Sequence, residues 1–341
     1  MKPALFKSAR FSHVKLAAVL LLTLFSSSQL MAADQAITIR FSHAVASKTP
    51  KGLMALKFKE LAEQRLPGKV KVKIYPRSLM YLDSNVGEAI ASGKLELAAP
   101  ALSKLRKYTA QLQVFDLPFL FPDMAAVERF QQSPAGQQLL RSMEDFNITG
   151  LGYLHNGMKQ MSGNQKIATP RDLQGKTYRV MNSPVLKEQF MAVGAIPEVK
   201  PFSQVYALLS SGKIDGQENT WSNIYSSHFF RAQKHITETN HGVLDYMVIS
   251  SPTFWASLPD DIRSVLKQCI EEAIVYGNQI AAQQNSDNRQ AVISSGVTQV
   301  ATLNEQQRQQ WINAMKPVWQ EFSTEIGNAL ITDALMAGQQ P

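Results

Sequence analysis

The pattern that most constrains this chain is a strand–helix–strand–helix–strand run that occurs twice. Ile37, Ile39 and Phe41 alternate with Thr38, Arg40 and Ser42, the two-residue period of a strand. Residues 51–65 follow with Met54, Phe58 and Leu61 on one helical stripe, closed by Pro67-Gly68. Val70, Val72 and Ile74 alternate with lysines as a second strand. A helix over about 83–92 stops at Gly93, and 95–99 reads as a third strand. That order predicts a parallel sheet with right-handed crossovers.

The second run starts with a strand at 177–181. Ser183 caps a helix that has Pro184 at its first position and Gly194 past its end. Residues 196–200 are extended, 202–211 helical, and 214–217 a strand. The junctions also agree: Ser92-Gly93-Lys94-Leu95-Glu96 stands against Ser211-Gly212-Lys213-Ile214-Asp215. Glycine is the ordinary helix C-cap, but five matching residue classes at equivalent places favour two similar lobes. Two such lobes leave a crevice at the carboxyl ends of their strands. Residues 260–290 are helical in period with no Gly or Pro except Gly277, enough to reach about 40 Å and brace both lobes. Within the helical segment 303–335, Trp311, Met315 and Trp319 form a packing stripe.

The expected fold is therefore α/β and two-lobed. Each lobe has a mixed, mainly parallel sheet flanked by helices, and a long helix bridges the two. Lobe I is expected to hold 34–156 plus about 245–284, and lobe II 157–244 plus about 285–341. Residues 1–33 read as a cleavable signal peptide: Lys2, Lys7, Arg10 and Lys15, then an apolar run Leu16–Phe25, then Met31-Ala32-Ala33. A run of ten residues is about half of what a spanning helix needs. The net charge of +8 shrinks once the leader's four cations are set aside, leaving 31 basic against 27 acidic residues and no basic block. Nucleic acid is thereby excluded as a partner. The single Cys269 excludes a disulfide scaffold or a Cys-rich zinc module, and its apolar helical setting predicts a buried thiol.

Searches for chemistry return little. There is no G-x-S-x-G, H-E-x-x-H, P-loop or G-x-G-x-x-G motif, so no catalytic set, metal or cofactor is expected. His228, His235 and His241 lack ligand spacing and read as surface or structural groups. Two places hold polar groups a fold alone does not require. Arg179 sits in the strand-like run Thr177–Met181, where its planar fork of donors suits a carboxylate; an exposed edge-strand arginine explains it equally. The other is 215–221, rich in amides and acids after the second lobe's third strand, although turn formation accounts for part of it.

These residues resemble a known family. Gly175-Lys176-x-x-Arg179 followed by Asp215-Gly216-Gln217-Glu218-Asn219 is similar to the signature of TRAP (tripartite ATP-independent periplasmic) transporter solute-binding proteins of the C4-dicarboxylate type. Phe41-Ser42-His43, Thr49-Pro50-Lys51-Gly52, Tyr75-Pro76-x-Ser78, the run from Phe115 to Phe121, and Asn156-Gly157-Met158-Lys159-Gln160 follow in family order. The resemblance implies two lobes closing on an organic anion, most simply a C4-dicarboxylate, which is then delivered to membrane permease subunits by a periplasmic monomer. It implies that Arg179 pairs with the ligand carboxylate, that Asn219 helps hold it, and that Lys159 stands where a second cationic contact is found. His43, Lys48 and Lys104 are further candidates for the ligand's distal end. Arg77 stands where relatives often carry Asn or another polar residue. Competing classes are a periplasmic enzyme with His43 or His155 as base, and a sensor that docks on a receptor.

Overall fold

The computed structural model describes residues 36–339 together with Met1; the rest of the expected signal peptide lies outside the described residues. No helix among them is long and apolar enough to cross a membrane. Strands β1 (Ile37–Ser42), β2 (Val70–Tyr75), β3 (Leu97–Ala98) and β4 (Thr149–Met158) open a first sheet. After one intervening residue the chain starts a second sheet with β5 (Gln160–Gly163), β6 (Thr177–Val180), β7 (Ile196–Val199), β8 (Gly216–Asn219) and β9 (His235–Glu238). Strand β10 (Val243–Ser250) returns to the first sheet and β11 (Gln299–Thr302) joins the second.

The sheet orders expose the repeat. The first runs β2-β1-β3-β10-β4 and the second β11-β9-β5-β8-β6-β7. Each core is thus one βαβαβ unit, β1 to β3 or β6 to β8, with the first strand in the middle of its three. Each unit then takes an antiparallel neighbour, β10 beside β3 and β5 beside β8. Both sheets are mixed for this reason. The two Ser-Gly-Lys junctions fold alike: Gly93 and Gly212 have φ of 69° and 66°, and Lys94 and Lys213 donate back to Ala89 and Leu208 carbonyls at 2.8 and 3.0 Å. This left-handed cap strongly favours glycine.

The helix starts follow their caps. Thr49 Oγ1 accepts from Gly52 N at 3.3 Å ahead of helix Pro50–Arg65, and Ser183 Oγ accepts from Leu186 N at 3.3 Å ahead of helix Pro184–Met191. The bridging helix runs Asp260–Ser294, 35 residues, or about 52 Å at 1.5 Å per residue. It exceeds the expected 260–290 because the next chain reversal comes only at Gly296, φ 63°. Its apolar stripe Ile262, Leu266, Cys269, Ile270, Ala273 and Ile274 is buried near its start, whereas Val292 enters the second lobe's core beside Trp221 and Ile236. Gly277 lies where the helix meets β4 and helix Pro50–Arg65. A Cβ there would lie 2.7 Å from Leu154 Cδ1 and 2.9 Å from Met54 Cβ.

The C-terminal segment is three helices, Glu305–Met315, Pro317–Ile326 and Asn328–Gln339. The division that placed 285–341 wholly in lobe II needs correction here. Val318, Phe322, Ile326, Ile331, Ala334 and Ala337 complete the first lobe's core around Phe115, Phe121 and Phe130. The break before Pro317 lets the stripe serve both lobes: Trp311 Nε1 donates to Ala168 O at 3.2 Å and Trp319 Nε1 to Pro118 O at 2.8 Å.

Gly277→Val should destabilise the protein by about 1–3 kcal/mol through overpacking, read as a lower urea midpoint with an unchanged slope. An unchanged midpoint would mean the crossing has slack.

Candidate functional site

Six loops at the carboxyl ends of the two parallel triplets converge on one cavity, of about 180 Å³. Ala44 and Val45 follow β1, Ser78 follows β2, and Ala101 with Lys104 follows β3. Opposite them, Met181 and Asn182 follow β6, Lys200 to Ser203 follow β7, and Asn219 and Asn223 sit at and beyond the end of β8. Open parallel sheets bind ligands at this edge because the crossover loops spread there and leave a crevice. The volume is below the roughly 300–1,000 Å³ of drug-sized sites, which suits a ligand of a few carbons.

Arg179 lies on β6, between β8 and the edge strand β7 of the second sheet, paired in register with Glu198 and Gln217. Its side chain is buried, and its one hydrogen bond among the described residues runs from Nε to the Lys200 carbonyl, 3.0 Å. That bond fixes the guanidinium plane and leaves its outer NH₂ groups available. Burial lowers its pKa to about 10, while Glu218 and Asp83 act the other way. The group remains a cation at neutral pH. Asn219 Oδ1 accepts from Asn223 Nδ2 at 2.8 Å and from Thr220 N at 3.2 Å, so the amide NH₂ is the end left to donate. Lys104 enters from the other lobe. Burial brings its pKa down to about 8, and Arg179 contributes in the same direction, which places the two cations in each other's field.

Of the six residues expected at the site, Arg179, Asn219 and Lys104 line the cavity; Lys159, His43 and Lys48 do not. Lys48 is exposed on the loop before helix Pro50–Arg65. His43 is buried against Phe41, with neither ring nitrogen hydrogen-bonded among the described residues. Burial and the nearby Lys51 lower its pKa to about 3, so it is neutral. Arg77 is exposed and shapes a turn at φ 55°, its N–H bonded to Val45 O at 3.0 Å. His155 lies off this cavity too, its Nε2 2.9 Å from Gln131 Oε1.

Lys159 belongs to a different structure. It is the residue between β4 and β5, where the chain first crosses from lobe to lobe, and its ammonium is buried on Glu218 at 2.9 Å to Oε1 and 2.8 Å to Oε2. His241, at the return crossing between β9 and β10, places Nε2 2.8 Å from Glu218 Oε2. Its Nδ1 lies 2.6 Å from Thr239 Oγ1. Burial would raise the Glu218 carboxyl, but Lys159 and His241 hold it at about 2. Gly242 makes the room, since a Cβ there would lie 2.8 Å from Lys159 Cε. Nearby, burial pushes the Asp116 carboxyl up to about 6, with Lys159 opposing.

Three cavity groups were missed: Lys51, Asp83 and Tyr246. Lys51 carried a readable signal, because a cation in the first turn of a helix opposes the macrodipole and so needs another reason to be there. Strand β10 is buried at every position and offers no alternation to read.

Two lobes joined by crossing strands, with a cationic cavity at the facing strand ends, define a solute-binding protein. The family model for bacterial extracellular solute-binding proteins, family 7, matches residues 41–325, and the chain belongs to that family. It is 56% identical over 302 residues to the C4-dicarboxylate-binding periplasmic protein DctP of Shewanella loihica, covering 89% of this chain and 90% of that one. Among solved structures, a TRAP periplasmic solute-binding protein from Shewanella oneidensis with bound succinate has TM-score 0.88 and 53% identity, covering 89% of this chain and all of that one. A Pseudomonas aeruginosa relative with bound L-malate has TM-score 0.81 and 42% identity over 84% of this chain and 99% of that one.

Glu218→Gln leaves the Lys159 ammonium buried without a counter-charge and should cost about 3–5 kcal/mol in chemical denaturation. Because the Glu218 carboxyl is held below its ordinary 4.5, its pairing contributes stability above that pH and loses it as pH falls toward 2. The variant should therefore show a flatter stability profile across that window, and an unchanged profile would remove Glu218 from the acid response.

Proposed function

We propose that this protein is a periplasmic receptor for a small organic acid, most simply a C4-dicarboxylate, which it delivers to the membrane subunits of a TRAP-type transporter. The observation that carries this reading is Arg179: a buried guanidinium, oriented by the Lys200 carbonyl, facing a small cavity and without a carboxylate on its outer nitrogens among the described residues. A carboxylate ligand takes those nitrogens with two parallel charge-assisted bonds. The Asn219 NH₂ donates to the same carboxylate, and Lys104 approaches from lobe I. The ligand thus contacts both lobes at once, and excluding water strengthens each of these bonds. Names and bound ligands of relatives at 42–56% identity support the same substrate class.

Lys159 serves this function indirectly, by fixing Glu218 and thus the strand that carries Asn219. The receptor acts as a monomer that meets its permease when loaded. The basic-apolar-small order of residues 1–33 supports export to the periplasm.

A thermal-shift screen against small organic acids should raise the melting temperature with succinate, malate or fumarate. Saturation at 100 times the dissociation constant adds about 2.7 kcal/mol. Arg179→Ala should weaken binding by about 2–5 kcal/mol in calorimetry, and Arg179→Lys should also bind poorly, because the charge stays while the fork is lost. Wild-type affinity in Arg179→Ala would sink the assignment.

A further inference from the structure

We propose that Lys51 reads the ligand's second carboxylate and thereby makes the site select dianions. The inference rests on the organic-acid reading above and concerns the end of the cavity that Arg179 does not reach. Lys51 comes from the first turn of helix Pro50–Arg65, where its charge opposes the helix dipole, yet its side chain is buried and lines the cavity. Two contacts hold the ammonium in place. Nζ donates to Ala99 O at 2.8 Å and lies 3.5 Å from the centroid of the Tyr246 ring. Tyr246 is itself fixed by Asn156 Nδ2, which donates to its hydroxyl at 2.8 Å. Neither contact is a counter-charge, and an ammonium has a third N–H to give.

The charges lining the cavity make the same point. Lys51 and Lys104 come from lobe I and Arg179 from lobe II, and Asp83 is the one carboxylate among the lining residues. Asp83 accepts from Ala101 N at 3.1 Å and its field reaches all three cations. Lys200 also lines the cavity but is paired with Glu198 at 3.1 Å. Asp116 and Glu218 lie outside the lining, where both feel Lys159, and Asp116 also acts on Lys104 and Glu218 on Arg179. His43, the other titratable neighbour of Lys51, is neutral. Among the lining groups themselves, three cations against one carboxylate leave an excess of two positive charges, one for each carboxylate of a dianion. One carboxylate goes to the Arg179 fork, and the other completes Lys51 at the lobe I end. Burial holds the Lys51 ammonium down at about 8, so an arriving carboxylate also draws a proton onto it near that pH.

Calorimetry with succinate and with its monoamide, succinamate, tests this. The wild type should prefer succinate by at least about 30-fold, the scale of losing one partner of a buried charge pair. Lys51→Gln and Lys51→Met should bind succinate as weakly as the wild type binds succinamate, with the affinity for succinamate unchanged. Arg179→Lys should weaken both ligands alike. Variants that keep the succinate preference overturn the proposal and leave the Arg179 site standing. Equal weakening of both ligands in the Lys51 variants also overturns it, by assigning Lys51 a packing role. A wild type that binds neither ligand overturns both readings. Should the variants not fold, titrations of Lys104→Gln at pH 8 in buffers of different ionisation enthalpy decide, because that variant removes the other cavity lysine held near the same pH: net proton uptake with succinate exceeding that with succinamate is expected, and equal uptake overturns the proposal.

Discussion

The fold depends on one carboxylate. Glu218 sits at the centre of the second sheet and receives Lys159 from the outbound strand crossing and His241 from the return. Desolvating three ionisable groups together is tolerable only when each completes the others' hydrogen bonds. Here the ammonium and the imidazole share two carboxylate oxygens, and Gln189 adds a contact at 3.3 Å. The period-two geometry of a strand converts this into function. Gln217 and Asn219 point one way along β8 and Glu218 the other, so the strand that locks the crossing also presents an amide to the cavity.

The cavity inverts that arrangement. At the crossing, charges are buried in matched partners; at the strand ends, cations are buried with too few. Arg179 has a backbone carbonyl, and Lys51 has a carbonyl and an aromatic face. Such partners orient a cation without neutralising it. The site therefore carries electrostatic stress in the free protein that a ligand anion relieves, and the matched cluster a few residues away keeps the scaffold from relaxing around it.

Much of the fold was legible because it rests on local rules. The Ser-Gly-Lys junctions, the Thr49 and Ser183 caps and the unbroken helical period after Asp260 each state their structure within a few residues. The repeat then placed the crevice, and an arginine inside a strand pointed to it. What stayed hidden depends on distant chain. Lys159 reads as a free cation beside the signature, because its partner is 59 residues away. Tyr246 lies in a strand buried on both faces, where the alternation that reveals function is lost. The return of helices Pro317–Ile326 and Asn328–Gln339 to the first lobe follows from the shape of its apolar surface, and no short-range pattern announces it.

That return sets the order in which the molecule can be made. Phe115, Phe121 and Phe130 form the first lobe's centre, yet their packing partners run to Ala337, at the far end of the chain. A growing polypeptide has the whole first sheet only after β10, and its aromatic core remains uncovered until the last helices emerge. Synthesis from the N-terminus therefore completes the first lobe last, with contacts of high sequence separation that fold slowly. The first lobe stays unfinished for as long as these last helices are still to be made.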